Sequence, residues 1–264
     1  MVLRTSNRIT LVFAFLWICY ATETRLDGRY SFSLTTFDPN GKLNQVERAC
    51  RASTLWGTPV VAAFCPLNSD DHHSSVLFAA PQILPNPLYE DDGTARFVKI
   101  SNNIVVTHSG ISADARIAIA AGQRLAIEHE YTFDEEIPIQ IFLESMALLF
   151  QEYTMKAGAR PFGCVLMVAS LDSRELYRLD PSGSIEILGS YGVIGSLDAI
   201  VYPKLEEMRK KNYAHEDFIS ELIHLLGSSI EEKSVATEHA YNSTKERFLT
   251  ANFTQGDLNV NTYN

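Results

Sequence analysis

The densest group of potential metal ligands in the chain is the run Asp70-Asp71-His72-His73. Carboxylates and imidazoles bind divalent metals, but adjacent residues on one loop rarely converge on a single ion, because successive side chains point in different directions. The sequence has no cysteine pair with zinc-site spacing, no glycine-rich phosphate loop and no Ser-His-Asp order. We therefore expect neither a metal nor a cofactor.

Four cysteines are the remaining candidates for reactive groups: Cys19, Cys50, Cys65 and Cys164. Cys19 falls in an apolar leader, and the other three lie among apolar neighbours. That setting is typical of buried free thiols rather than of a disulfide framework. We expect free thiols, with a weak preference for a reducing compartment.

The charge balance argues against nucleic acid as a partner. The 264 residues carry a formal net charge of −10, whereas phosphate binding depends on clustered lysine and arginine. The longest basic run, Arg209-Lys210-Lys211, follows Glu206 and Glu207 and indicates the solvated end of a helix. The composition, 46% hydrophobic and 20% charged, is that of a globular chain with a sizeable core.

The first 21 residues differ from the rest of the chain. Arg4 and Arg8 precede an apolar run over 9–20. This run is shorter than the roughly 20 residues needed to cross a bilayer. We therefore expect no stable membrane span. A basic start, a short apolar stretch and small residues at positions −3 and −1 of a cleavage site after Ala21, here Cys19 and Ala21, are typical of a secretory signal peptide. A wrongly assigned start codon or exon would explain the same residues.

Apolar periodicity indicates a long helix in the middle of the chain. It begins at Ser112, a candidate N-cap, and runs to about Glu130. Ile117, Ala121 and Leu125 recur every four residues, so we expect them to form its buried face.

A second long helix is expected after Pro138, a residue suited to a first helical turn, and before Gly158, which suits the C′ position. Its apolar residues follow the i, i+3, i+4, i+7 spacing of a buried helix face. They are Ile139, Phe142, Leu143, Met146, Leu149, Phe150 and Tyr153. Burial of such side chains contributes about 1.5–3 kcal/mol each, so this helix belongs in the core.

Strand-like runs lie on both sides of the helix pair. They cover 60–65, 75–80 and 103–108 before it, then 162–170, 175–179 and 184–188 after it. Two further helical stretches, 197–211 and from 216 onward, precede a polar strand at 257–263. The strands are joined mainly by hairpins, such as the turn Asp180-Pro-Ser-Gly183. This order predicts an α+β fold, a four-layer αββα sandwich.

Five short motifs follow one another in an informative order. The first runs from Tyr30-Ser-Phe-Ser-Leu-Thr-Thr-Phe through Asp38-Pro-Asn-Gly41 to Gln45-Val-Glu47. The others are Ser109-Gly-Ile-Ser-Ala-Asp114, Gln151-Glu-Tyr-Thr154, Gly158-Ala-Arg-Pro-Phe-Gly163 and Asp180-Pro-Ser-Gly183. Each is weak alone, but together they resemble the proteasome alpha subunits over roughly 30–263.

The resemblance implies the N-terminal nucleophile hydrolase fold and a non-catalytic role in the outer ring of a proteolytic cylinder. Implied partners are other proteasome alpha subunits, proteasome beta subunits and a regulatory particle. Residues 22–264 would form the subunit domain, with a gate segment over 22–50. Gate and ring-interface residues would be Tyr30, Phe32, Asp38, Pro39, Gly41, Gln45 and Glu47. The remaining family-motif residues are Ser109, Gly110, Asp114, Arg160, Pro161, Phe162 and Gly163.

Two departures from the family concern the gate and the regulatory particle. Arg48 stands where the family normally has tyrosine, which affects gate geometry. The run Phe78-Ala-Ala-Pro-Gln82 lacks the lysines that the family carries after its second strand, which would weaken the docking of activators. We still expect Phe32, Phe37, Leu43 and Val46 to pack the gate segment down.

The catalytic relatives of this family use an N-terminal threonine whose own amine is the base, with an aspartate and a lysine nearby. Thr58 is the candidate nucleophile, but Pro59 follows it and has no backbone N–H. The lysine position falls on Arg96, whose guanidinium keeps its proton at any workable pH, and the aspartate position falls near Ala80. We therefore expect no catalysis by this chain.

A second function remains open for a chain of this fold. If the leader is a signal peptide, the protein would be an organelle-routed or secretory paralogue that does not enter the proteasome. Sequons at Asn242 and Asn252 would then be glycosylation acceptors. Chance supplies about one or two sequons in a chain of this length, so they do not decide between the two functions.

Overall fold

The computed structural model describes residues 36–38, 40–55, 57–64, 75–82, 95–156, 158–209, 215–236 and 247–263. The predictions for the leader over 1–21, for Tyr30, Phe32 and Pro39, and for the run 70–73 lie outside these residues.

The described part of the chain contains five helices and ten strands. The helices are α1 Asn44–Leu55, α2 Ser112–Phe133, α3 Ile139–Met155, α4 Asp198–Arg209 and α5 His215–Ala236. The strands are β1 Val60–Phe64, β2 Val76–Gln82, β3 Phe97–Lys99, β4 Ile104–Gly110, β5 Cys164–Ser170, β6 Glu175–Leu179, β7 Ile185–Gly189, β8 Tyr191–Ile194, β9 Arg247–Thr254 and β10 Asp257–Tyr263. No helix among these is both long and apolar enough to cross a membrane.

The strands form two five-stranded antiparallel sheets. One has the order β10-β9-β2-β1-β8 and the other β3-β4-β5-β6-β7. Helices α2 and α3 cover the outer face of the second sheet, and α4 and α5 cover the outer face of the first. The predicted four-layer αββα sandwich is confirmed.

Period-two alternation along the strands divides the apolar residues among three cores. On β4, Ile104 and Val106 point to the core under α2 and α3, while Val105 points to the core between the sheets. On β1, Val61 and Ala63 point to the third core, under α4 and α5. Because both faces of the central strands are covered, β1 and β5 are almost wholly apolar and do not alternate between apolar and polar residues.

Strand β9 was missed by the sequence analysis, although its pattern is regular. Leu249, Ala251 and Phe253 alternate toward the core between the sheets, and Phe248 faces the opposite core. Thr250 and Asn252 stand between them, so the segment carries a period-two signal that the sequence analysis overlooked. Strands β3 and β8 were also missed, because runs of three and four residues are too short to show a period.

The buried face of α2 differs from the predicted one. Ile117 is 57% exposed, and the residues that face inward are mainly small: Asp114, Ala115, Ala118, Ile119, Gly122 and Ala126. The reason lies in α3, whose Phe142 ring would come within 3.2 Å of a Cβ at Gly122. Large α3 side chains need small α2 residues opposite them. The N-cap prediction was also wrong, since Ile111 holds that position without a side-chain hydrogen bond.

The prediction for α3 is confirmed. Phe142, Leu143, Met146 and Phe150 are buried, and partly buried residues of the same stripe pack against them. The helix ends at Met155 with Lys156 as C-cap, so Gly158, with φ of 81°, lies one residue beyond C′, and its predicted placement at C′ was wrong.

The two neighbouring isoleucines of α2 provide a matched test of this helix orientation. We expect Ile119→Ala, which empties a position that is 6% exposed, to lower the free energy of unfolding by about 2–4 kcal/mol. Ile117→Ala removes an exposed side chain and should cost less than about 1 kcal/mol. Urea unfolding of both variants measures the difference, and equal costs would contradict the assignment of the buried face.

Candidate functional site

The family-motif residues meet where β4 leads into α2 beside the first residues of β5. Strand β4 ends at Gly110 and α2 begins at Ser112, which places Asp114 in the first helical turn. Ser109 and Gly110 are the last residues of β4. Their side of the junction is therefore set by strand pairing, in which Gly110 lies opposite Cys164.

Asp114 connects the first turn of α2 to the segment that leads into β5. Its two carboxylate oxygens accept hydrogen bonds from Nη1 and Nη2 of Arg160, at 2.5 and 2.7 Å. Oδ2 also accepts the backbone N–H of Gly163 at 2.8 Å. Asp114 thus acts through these bonds as well as through its favourable position at the helix N-terminus.

The electrostatics of the pair follow from its partial burial. Burial would raise the pKa of Asp114, but the hydrogen bonds from Arg160 and Gly163 outweigh it, and the pKa lies below its ordinary value of 3.8. The hydrogen bond to Asp114 likewise raises the pKa of Arg160. The bidentate geometry makes this a strong form of ion pair, although Arg160 itself is largely exposed.

Two glycines allow the backbones at this junction to approach closely. Gly110 has φ of 103°, and a Cβ there would overlap the carbonyl of Gly163. A Cβ at Gly163 would lie 2.6 Å from Cδ1 of Ile111. The Ile111 N–H donates to the Gly163 carbonyl at 3.0 Å. Gly110 is therefore required by the backbone packing, whereas a side chain at Gly163 would have to displace the end of the Ile111 side chain.

The position of the candidate nucleophile is enclosed by backbone. The Ser109 hydroxyl donates to the Thr58 carbonyl at 2.8 Å and lies 3.4 Å from the carbonyl of Ser53 on α1. A Cβ at Gly57 would overlap both the Ser109 hydroxyl and the Ser53 carbonyl. Helix α1 therefore packs directly against the segment that leads into β1.

Arg96 lies beside Thr58. The sequence analysis placed these two residues at the lysine and nucleophile positions of the catalytic relatives. Its Nη2 points to the Thr58 carbonyl at 3.5 Å, and its Nε has no hydrogen-bond partner among the described residues. Burial lowers the pKa of Arg96 to about 10, so it remains a cation at neutral pH. A permanent cation cannot accept a proton from Thr58.

His108 lies in the core, but its hydrogen bonding is incomplete. It is 1% exposed, and within the part of the chain that the structure describes its Nδ1 has no partner. Burial, followed by the charge of Arg96, lowers its pKa to about 4. His108 is therefore neutral at neutral pH.

The N-terminal segment forms the predicted turn and helix. The Gly41 N–H donates to the Asp38 carbonyl at 2.7 Å, and Gly41 has φ of 78°. Gln45 and Glu47 lie on α1, where Glu47 pairs with Lys42 at 3.0 Å. Phe37 was expected to pack this segment down.

That expectation for Phe37 was wrong, since its side chain is 66% exposed. Leu43 and Val46, from the same prediction, are half-buried.

A further surface was not found from the sequence. We call it the outer helical face, and it consists of large apolar side chains on the solvent side of α2 and α3: Ile117, Ile127, Tyr131, Ile141 and Leu148. They are 57%, 65%, 91%, 46% and 67% exposed. Single exposed apolar residues are normal, but a group on two neighbouring helices is typical of an interaction site.

The chain matches two family models. One, described as "Proteasome subunit", covers residues 72–241, and the other, the N-terminal signature of A-type proteasome subunits, covers residues 30–52. The chain is 33% identical over 197 residues to the proteasome alpha type-2 subunit of Trypanosoma brucei brucei, a match that covers 74% of this chain and 79% of that protein.

Two other relatives agree. The proteasome alpha type-2 subunit of Drosophila melanogaster is 37% identical over 59% of this chain and 64% of its own length. The proteasome alpha subunit of Pyrobaculum aerophilum is 31% identical over 83% of this chain and 87% of its own length.

These matches and the αββα sandwich define a proteasome-type fold, and the chain belongs to the proteasome subunit family. Within the family it is of the alpha type, the class of non-catalytic ring subunits.

The lowered pKa of Asp114 predicts a pH-dependent contribution to stability. Because the folded-state pKa is depressed, the carboxylate stabilises the fold at pH values above 3.8, and this contribution is lost as pH falls through the folded-state pKa. We expect Asp114→Asn to lower the free energy of unfolding by about 1–2 kcal/mol near pH 7. The difference from the unmodified chain should shrink in acid.

Urea unfolding of both proteins at neutral and acidic pH tests this. Asp172→Asn, at an exposed position, is the matched control and should leave stability unchanged. A loss in Asp114→Asn that persists undiminished in acid would show that the charge of Asp114 is not the cause.

Proposed function

We propose that this protein is a non-catalytic structural subunit of the proteasome core particle alpha ring. In that position it contributes to ring assembly and to substrate gating in ubiquitin-dependent protein degradation. The observation that carries the proposal is the outer helical face, because a chain that worked alone would leave this group of apolar side chains in water.

The state of the catalytic positions supports a structural role. Thr58 is held inside the chain between Gly57 and the buried Pro59, and its carbonyl is bonded to Ser109 and Arg96. Peptide-bond hydrolysis would therefore take place on other subunits. The role of this chain is to hold its neighbours in position.

The proposed gate consists of the turn at Asp38 and Gly41 together with the first turns of α1. Asp38 N–H donates to the Lys42 carbonyl at 2.8 Å, so the turn is closed by two backbone hydrogen bonds. The ion pair of Glu47 with Lys42 ties this turn to α1. Tyr30, Phe32 and the ring-interface role of Gln45 belong to the same proposal.

The proposed partners are neighbouring alpha subunits, a beta ring and a regulatory particle. The beta ring is the partner that we propose for the outer helical face. Helices α2 and α3 belong to one layer of the sandwich, so their exposed residues form one surface. Contact with a regulatory particle rests on the family resemblance alone, and the lysine-free run over 78–82 favours a weak contact.

For compartment, we propose cytoplasm and nucleus, with residues 22–264 as the subunit domain. The secretory alternative gains no support from the relatives. Its sequon at Asn252 lies within β9, which pairs with β2 on one side and β10 on the other. An asparagine enclosed in a sheet is a poor acceptor for a glycan in the folded chain.

Affinity purification of the tagged full-length protein from its own cells, followed by mass spectrometry, tests the function. We expect alpha and beta subunits at comparable abundance. Peptides from the N-terminus show in the same experiment whether residues 1–21 are retained. Recovery of the protein alone, or with secretory-pathway chaperones only, would contradict the proposal.

The gate can be tested separately with two glycines that share their geometry. Gly41 and Gly158 have φ of 78° and 81°, and a Cβ at either would meet nothing within 4 Å in the described part of the chain. Valine in this conformation costs about 1–2 kcal/mol, which changes a two-state population by roughly 5–30-fold.

We therefore expect Gly41→Val to loosen the gate turn and to raise the basal hydrolysis of a small fluorogenic peptide by assembled particles. Gly158→Val carries the same strain at the end of α3 and should leave basal hydrolysis unchanged. If both variants behave alike in this assay, the turn at Gly41 does not control entry.

A further inference from the structure

Charge on the helices of the outer helical face is separated by sign. From Leu125 to Met155 the sequence contains no lysine or arginine. The same stretch has seven carboxylates: Glu128, Glu130, Asp134, Glu135, Glu136, Glu144 and Glu152. The earlier part of α2 carries Arg116 and Arg124 instead, both exposed. Helix α2 with the loop that follows it therefore has a basic end and an acidic end, whereas Glu152 on α3 pairs with Lys156.

Glu152 pairs with Lys156, but the exposed charges on α2 itself have no ion-pair partner within the described part of the chain. The ion pairs found there include none to Arg116, Arg124, Glu128 or Glu130. Surface ion pairs between neighbouring helical residues are common, so their absence from the described residues here leaves both ends of the face available to a partner.

The acidic end is also unfavourable for α2 itself. Its last turns carry Glu128 and Glu130 and no basic residue. Carboxylates there oppose the helix dipole, each at a cost of about 0.3–1 kcal/mol. A cation brought close to this end would offset that cost.

The apolar and charged groups of α2 form one stripe. At 100° per residue, most of the exposed positions fall within about 120° of one another on the helix surface. They are Ala113, Arg116, Ile117, Ala120, Arg124, Ile127, Glu128 and Tyr131. The stripe is thus an apolar ridge with arginines toward its start and acids toward its end.

We propose that two copies of this chain associate through their outer helical faces in antiparallel orientation, about a two-fold axis. The arginine end of each α2 then lies beside the acidic end of the other, and the apolar residues meet between them. This inference rests on the proposed function, in which the outer helical face is an assembly surface. It adds that a second copy of the chain covers this face when no other subunit is present.

A second copy is the occupant that the charge pattern itself specifies. A face with opposite charges at its two ends is complementary to itself only when the second face is reversed, which is the arrangement that a two-fold axis produces. The symmetry also makes each favourable contact occur twice. Parallel association would place like charges together, at a cost in affinity.

Sedimentation velocity of the purified full-length chain, without other subunits, tests the proposal. We expect reversible dimers that weaken as salt is raised, since exposed charges are screened over about 10 Å near 0.1 M salt. Arg116→Glu with Arg124→Glu makes both ends of α2 acidic, and Glu128→Lys with Glu130→Lys makes both ends of α2 basic. We expect each double variant to dimerise at least about tenfold more weakly.

An equimolar mixture of the two double variants is the decisive sample, because an α2 that is acidic at both ends attracts an α2 that is basic at both ends. We expect the mixture to form heterodimers at least as readily as the unmodified chain forms dimers. Arg51→Glu and Glu207→Lys make the same changes of charge at exposed positions on α1 and α4, and should leave association unchanged.

A monomeric chain at low salt would overturn the inference, as would dimers that neither double variant weakens or a mixture that fails to recover association. The proposed function fails by a different result. A chain that is monomeric alone, yet co-purifies with alpha and beta subunits, would retain the proposed function and lose only the pairing of copies.

Discussion

The hydrogen-bonded ion pair of Asp114 and Arg160 sets the geometry on which one half of the sandwich depends. It holds the first turn of α2 against the entry to β5, two segments 46 residues apart in the sequence. The added bond from the Gly163 N–H fixes the backbone as well as the side chains. Since α2 and α3 pack on the sheet that contains β4 and β5, a shift at this junction would move the whole outer layer.

A second constraint acts at the neighbouring end of the two sheets. Gly57 passes between Ser53 and Ser109 with no room for a side chain, and Gly195, with φ of 98°, lies against the same hydroxyl. Helix α1 is thereby locked to β4 through main-chain contacts. The space that a nucleophile and its base would need is filled by backbone, so the same packing that holds the N-terminal segment also makes the chain non-catalytic.

The sequence predicted features that depend on local chemistry. The turn at Gly183, whose N–H donates to Asp180, and the apolar stripe of α3 were found because spacing alone encodes them. The orientation of α2 was missed because its inward face is made of small residues, and hydrophobic spacing therefore pointed to Ile117. Arg160 and Asp114 were recognised only as motif residues. Their hydrogen bond was not predicted, because a contact between distant segments produces no periodic pattern in a single sequence.

The error on α2 has a physical cause that bears on function. In a monomeric protein, large apolar residues of an amphipathic helix face the core. Here Phe142 and its neighbours on α3 occupy that space, small α2 residues accept them, and the isoleucines and Tyr131 of α2 lie outward. Exposed apolar surface does not stabilise the free chain. Once a partner covers it, its burial contributes about 25 cal/mol of favourable free energy per Å². A helix that is small inside and large outside is therefore matched to two neighbours, its own α3 and a second subunit.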